Sequence, residues 1–364
     1  ACNMITALVF ILVISVLIFV HELGHFLVAK KAGMRVDEFG FGFPPRIFGF
    51  KYRGTTYTLN LIPFGGFVRI FGEDGAHPRA EGSFEASPLR WRFFVIIAGV
   101  LMNIALAILL LIYSNFFGLR VGLFDQETIA RASDVQVQIL QVAPGSPAES
   151  AGLMPIDEII GFRSESGDVE LTDSPEDVQR FAYAHAGTPV TIIIGRGDEQ
   201  LDMPIALRLA EGPAQGPIGI SLALTGVIRR TWIESIQYGF IDGWTLFTGT
   251  LGGYWSLLTS VFTSGSLGTD IAGPIGIASM TGQAARVGFT YLLQFVAMIS
   301  MNLAVLNILP FPALDGGRGL MIVAEAIRGK PLRNSLEQGI NAVGFLILLG
   351  LMFAVTIKDI VKFF

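Results

Sequence analysis

The sequence predicts a polytopic α-helical membrane protein with about four transmembrane helices, a membrane-associated β element and one small α+β module. Three observations carry that expectation. Of 364 residues, 52% are apolar and only 15% charged, a balance well outside that of soluble globular chains. Four apolar runs, at about 5–28, 91–113, 289–309 and 339–357, are long enough for a helix to cross hydrocarbon. Between the second and third runs, residues 125–210 turn polar and strand-like. The chain divides accordingly into an N-terminal membrane part (1–124), the module (125–210), a linker with interfacial helices (211–288) and a C-terminal membrane part (289–364).

The first run, ITALVFILVISVLIFV, passes without a break into HELGHFLVAKK. His21 and His25 are four apart and so share one helix face, with Glu22 beside them. This is the H-E-x-x-H arrangement, in which two histidines ligate zinc and the glutamate serves as general base. On an arbitrary soluble helix the pattern arises often by chance. Here the three polar residues would be stranded in hydrocarbon unless a metal used them, and ionisable groups within a span default to functional sites.

Residues 36–72 read as strands and turns, rich in aromatic and β-branched residues punctuated by glycine. So apolar a sheet could dip into the bilayer against the first helix, provided its backbone is covered by protein or lines a wet cavity. The polar stretch 73–90 contains His77, expected to face solvent. The second span carries Gly99 and Asn103 on one side, and an asparagine amid hydrocarbon wants a hydrogen-bonding partner across the helix interface or near the site. His185, in the helix-like stretch of the module, has no ligand set near it. The segment GPIGI at 216–220 recurs at 273–277, too short a repeat for a duplicated domain. Residues 232–262 are apolar enough to span, yet Glu234, Asp242 and the Trp/Tyr pattern suit a helix lying at the interface.

The charge pattern orients the chain. Residues 30–92 hold 10 basic and 6 acidic groups, whereas 120–286 hold 9 and 19. The positive-inside rule places the first loop in the cytoplasm and the module outside. Four spans then bring His25 and residue 315 to the same cytoplasmic leaflet. A net charge of −5 argues against nucleic acid as a partner, and the single cysteine, Cys2, excludes an internal disulfide or a thiolate metal cluster. Met4 is the expected initiator.

A zinc hydrolase holds its metal with three protein ligands and keeps a position for water. The second half offers Asp315, in NILPFPALDGG, where Pro310 and Pro312 end the helix and Gly316-Gly317 allow close approach. Asp315 reads either as the third ligand or as a helix-capping aspartate. HELGH in a first span paired with NILPFPALDGG in a late one resembles the site-2 protease family of intramembrane zinc metalloproteases, in its bacterial regulated-intramembrane-proteolysis branch. The GFG and TTYTLNLIPFGGFV segments resemble that branch's membrane-associated β element, and PGSPAESAGL in the module resembles a PDZ domain.

The resemblance implies one Zn2+ per chain held by His21, His25 and Asp315. It implies Glu22 as the catalytic glutamate and Asn307 near the substrate or the developing oxyanion. The substrates it implies are single-span transmembrane proteins within the lipid bilayer, such as an anti-sigma factor or a remnant signal peptide. The PDZ-like module, which well-studied members carry twice and this chain once, could add a peptide strand at an exposed edge. A transporter with polar groups along an ion path, or a scaffold without catalysis, are the competing classes. One tightly bound zinc and cleavage that stops with a chelator would separate a protease from a transporter, and a pure scaffold has no physical need to bury the full His21, Glu22, His25 and Asp315 set.

Overall fold

The structure, a computed structural model, describes residues 4–75, 80–163, 167, 169–197, 199–209, 216–264, 273–330 and 334–363. His77 lies outside the described residues. Two compact units emerge, one comprising residues 1–112, 236–282 and 293–364, the other 113–235 and 283–292.

The first unit contains α1 (Met4–Lys31), β1 (Val36–Tyr52), β2 (Thr55–Ile70) and most of α2 (Leu89–Phe117). α1 and α2 are two of four described helices long and apolar enough to cross a membrane. β1 and β2 pair twice: Phe39 lies opposite Val68 on one side and Tyr57 on the other. The hairpin thus doubles back near Pro44-Pro45 and Pro63 into four segments, ordered 65–70, 36–43, 55–62 and 46–52. Phe43, Ile47, Phe48, Leu61, Ile62 and Phe64 stand exposed at its far end, more clustered apolar surface than water tolerates. The near end packs on α1 in register with the helix. Ser15 donates to the Pro63 carbonyl, Gly65 sits against Ile18, and the Val68 N–H reaches Glu22. Ser15, Ile18 and Glu22 follow the i, i+3, i+7 spacing of one helix face.

The second unit is built on a seven-stranded sheet. Its elements are β3 (Leu119–Gly122), α3 (Gln126–Arg131), β4 (Ser133–Val142), α4 (Pro147–Ser150), β5 (Glu158–Arg163), β6 (Val169–Leu171), α5 (Pro175–Ala184), β7 (Pro189–Arg196), β8 (Glu199–Ala206) and β9 (Ile220–Ile228). The strand order is β3-β9-β4-β5-β7-β8, with β6 against β5. The sheet therefore reaches beyond 125–210 at both ends, and β9 lies in the stretch read from sequence as linker. Its ISLALTGVI run pairs with two strands remote in sequence, a context that local composition does not display. Ile139, Ile159, Phe162, Ile192 and Ile194 fill the core at 2% exposure or less. Each α4 and α5 start is capped by a serine, Ser146 and Ser174, followed by proline at the first helical position. His185 ends α5, stacked on Phe181 with its Nδ1 at the Phe181 carbonyl, a structural histidine as expected.

The remaining elements are α6 (Trp232–Ser264), α7 (Pro274–Val287), α8 (Phe289–Ile308), α9 (Asp315–Arg328) and α10 (Asn334–Phe363). α8 and α10 complete the four span-length helices. α6 lacks the sustained apolarity of these four, yet Gly239 meets Ile112 and Gly243 meets Ile108, so it runs antiparallel along α2. Tyr254 donates to Asn302 of α8 further along it. The second GPIG segment starts α7, where the Gly273 and Gly276 N–H groups donate to the buried Asp359 carboxylate of α10 at 3.1 and 2.9 Å.

Phe162, with 0% exposure and its ring 4.2 Å from that of Phe181, anchors the second unit. Phe162→Ala is expected to cost this unit about 3–5 kcal/mol. Faster amide exchange in 133–228 with unchanged exchange in α1 and α2 would register it.

Candidate metal centre

Three elements converge on one point. α1 supplies His21 and His25 on one face, their rings 4.7 Å apart between centroids. α2 crosses that face at Gly99, where an added Cβ would lie 2.5 Å from His25 Nε2 and 2.7 Å from His21 Cε1. No side chain larger than hydrogen leaves room for both imidazoles there. α9 begins at Asp315, after the turn 309–314. That turn is closed by Phe311 N–H to Leu309 O at 2.7 Å and Leu314 N–H to Phe311 O at 3.2 Å. A Cβ on Gly316 would collide with the Ile308 and Leu309 carbonyls, and one on Gly317 with that of Phe311. The Ala313 N–H donates to Asn341 Oδ1 of α10 at 3.2 Å.

The three ligand-type atoms form a triangle. His21 Nε2 and His25 Nε2 are 3.1 Å apart, and Asp315 Oδ2 lies 3.0 Å from the first and 3.5 Å from the second. Two ligands about 2.0 Å from a zinc ion in a tetrahedron are themselves about 3.3 Å apart. The imidazoles are set with Nε2 toward the centre by their other nitrogens. His25 Nδ1 lies 2.7 Å from the Val95 carbonyl, which can only accept, so Nδ1 carries the proton and Nε2 a lone pair. His21 Nδ1 faces the Asn103 side-chain amide at 3.4 Å. A half-turn of that amide gives its otherwise unpartnered Oδ1 the Nδ1 proton. The Asn103 backbone carbonyl accepts from the Ser300 hydroxyl of α8 at 2.8 Å.

Asp315 Oδ2 is buried and finds no hydrogen-bond donor among the described residues. Three lone pairs aimed at one another within 3.5 Å repel unless a cation lies between them, so the donor set fits a divalent metal with nitrogen and oxygen preference.

Glu22 stands apart from the triangle but close to it. His21, Glu22 and His25 together form a cluster able to hold a metal ion, their ligand atoms within 4.8 Å of one another. The Glu22 carboxylate, however, accepts the Val68 N–H at 3.1 Å, which turns one oxygen toward β2.

A family model described as Peptidase family M50 matches residues 9–351. The chain belongs to peptidase family M50. This is the site-2 protease family of intramembrane zinc metalloproteases, so zinc-dependent proteolysis within the membrane comes with membership. Among M50-type relatives, CPE1693 of Clostridium perfringens, named provisionally as a zinc metalloprotease, is 36% identical over 96% of this chain and 97% of its own. Zinc metalloprotease RasP of Shouchella clausii is 30% identical over 99% of each chain, and that of Geobacillus kaustophilus 29% over 98% and 97%.

The structure thus brings His21, Glu22, His25 and Asp315 together, as the M50 motifs imply. Asn307 lies half-buried at the penultimate position of α8. Asn103 could be read from the sequence as a polar group wanting a partner. The Val95 carbonyl and the Val68 N–H could not, because a backbone group carries no sequence signal.

Gly99→Val is expected to leave the four-helix part folded and strip most of the bound zinc, checked by metal analysis beside circular dichroism. Asn103→Leu should weaken zinc binding about 10–100-fold through loss of the His21 partner, measured by competition with a chelator.

Proposed function

We propose that this M50 protease cleaves transmembrane segments of single-span membrane proteins, with one zinc held by His21, His25 and Asp315. The observation that carries the assignment is the convergence of three lone pairs, two from α1 with their rings set by α2 and the third from the start of α9. Asp315 is favoured over Glu22 as third ligand because its Oδ2 is near both Nε2 atoms and has no donor, whereas Glu22 has the Val68 N–H.

Zinc supplies Lewis acidity at such a site, making water nucleophilic at neutral pH and polarising a peptide carbonyl. Glu22, one residue from His21 and outside the ligand triangle, takes the proton of the attacking water and returns it to the leaving amine. The Val68 N–H keeps that carboxylate aimed. Asn307 donates to the oxyanion that develops on the substrate.

A helical substrate has its carbonyls engaged in i to i+4 bonds and must unwind before attack. The segment 65–70 is an edge of the β1–β2 ribbon, adjacent to Glu22, and is suited to pair with the freed strand. Substrates with helix-weakening residues are therefore favoured. The positive-inside count supports a site near the cytoplasmic leaflet of a bacterial inner membrane, with the PDZ-like unit extracytoplasmic and open to peptide addition.

Glu22→Gln is expected to abolish hydrolysis while zinc stays near one per chain, read by metal analysis alongside cleavage of a reconstituted single-span substrate. Asp315→Asn should retain the fold and lose zinc to a chelator faster. Full zinc occupancy and full activity in that variant would remove Asp315 from the site.

A further inference from the structure

Asp315, Arg318, Ile322 and Glu325 lie three, four and three residues apart on α9, a single stripe along one helix face. Ile322 is buried in a cluster with Phe26, Val95 and Ile96. On the Asp315 side of it, Arg318 Nη1 donates to Glu73 Oε1 at 2.6 Å. On the far side, Glu325 Oε2 accepts from Arg92 Nη1 of α2 at 2.8 Å. Arg92 and Glu325 are 9% and 6% exposed, so this pair is fully enclosed. The Phe84 ring lies between the two arginines, 5.4 Å from Arg92 and 5.9 Å from Arg318.

The two pairs have opposite polarity. Near Asp315 the cation is on α9, and at the far end the anion is. Sliding α9 by one turn, about 5.4 Å, would break both at once. Apolar contact at Ile322 tolerates such sliding far better. A buried ion pair recovers little more than its own desolvation, and its best use is to select one registry over others. α9 has need of one, since Leu314 at its N-cap makes no side-chain hydrogen bond and Asp315 in its first turn is aimed at the imidazoles.

We propose that the Arg92–Glu325 and Arg318–Glu73 pairs set the axial register of α9 and thereby hold the Asp315 carboxylate at the metal. Arg92 and Glu325 are then positioning residues of the metal centre, acting through the helix. The proposal rests on the reading of Asp315 as a zinc ligand.

The test follows zinc release to a chelator from the purified full-length protein, with the thermal midpoint measured in parallel. The apolar pair Arg92→Met with Glu325→Leu removes both buried charges and should keep the midpoint, yet release zinc about tenfold faster. The reversed pair, Arg92→Glu with Glu325→Arg, should return release to within about threefold of the parent. If the ion pair served stability alone, the apolar pair would keep fold and zinc together; that result overturns the proposal. Should the apolar pair fail to fold, Glu73→Gln at the partly exposed pair decides. It is expected to speed release about threefold, and unchanged release overturns the proposal. Asp315→Asn run alongside separates the two ideas, since parental zinc release in that variant sinks the ligand reading whatever the ion pairs do.

Discussion

Electron pairs on two imidazoles and a carboxylate, held within 3.5 Å of one another against two span-length helices, are the constraint on which the membrane unit depends. Uncompensated, each buried polar group at such a depth costs several kcal/mol. The fold answers with partners on every side. α2 presents a glycine where the imidazoles need space, a carbonyl at Val95 and an amide at Asn103. β2 presents the Val68 N–H to the one carboxylate left over. α9 is brought back from the far end of the chain to set the Asp315 carboxylate beside both imidazoles.

The return of α9 explains features that otherwise look unrelated. The turn at 309–314 is too tight for a side chain at residues 316 and 317, which allows α9 to start directly beneath α8. Asn341 ties α10 to that turn, and two ion pairs of opposite polarity tie α9 to the loop after β2 and to α2. The first helix serves two masters at once. One of its faces, Ser15 to Glu22, is read by the β1–β2 ribbon, and another, His21 and His25, is read by α2 and α9. The histidine pair and the edge of the β1–β2 ribbon are thus mounted on the same rigid element, which keeps their mutual geometry fixed.

The second unit follows simpler rules. Its α4 and α5 start at capping serines followed by proline, and its core is aliphatic around one aromatic stack. Among its described residues no metal-ligating cluster appears, and His185 is spent on a ring stack and a carbonyl.

Sequence alone determined the four span-length helices, the doubled ribbon's apolar and glycine-rich character, and the pairing of His21 with His25, because helical and strand periodicities and H-E-x-x-H are local. It also singled out Asp315, since proline and glycine around it announce a broken helix and a close approach. What it could not carry was anything made by contact between distant segments. That β9 belongs to the sheet, that α6 runs along α2, that Gly99 makes room for two imidazoles, and that Arg92 meets Glu325 across 233 residues of chain were decided only in three dimensions. The physical reason is that a backbone carbonyl, a missing Cβ or a buried partner acts through distance, and distance between remote segments exists only once the helices have packed.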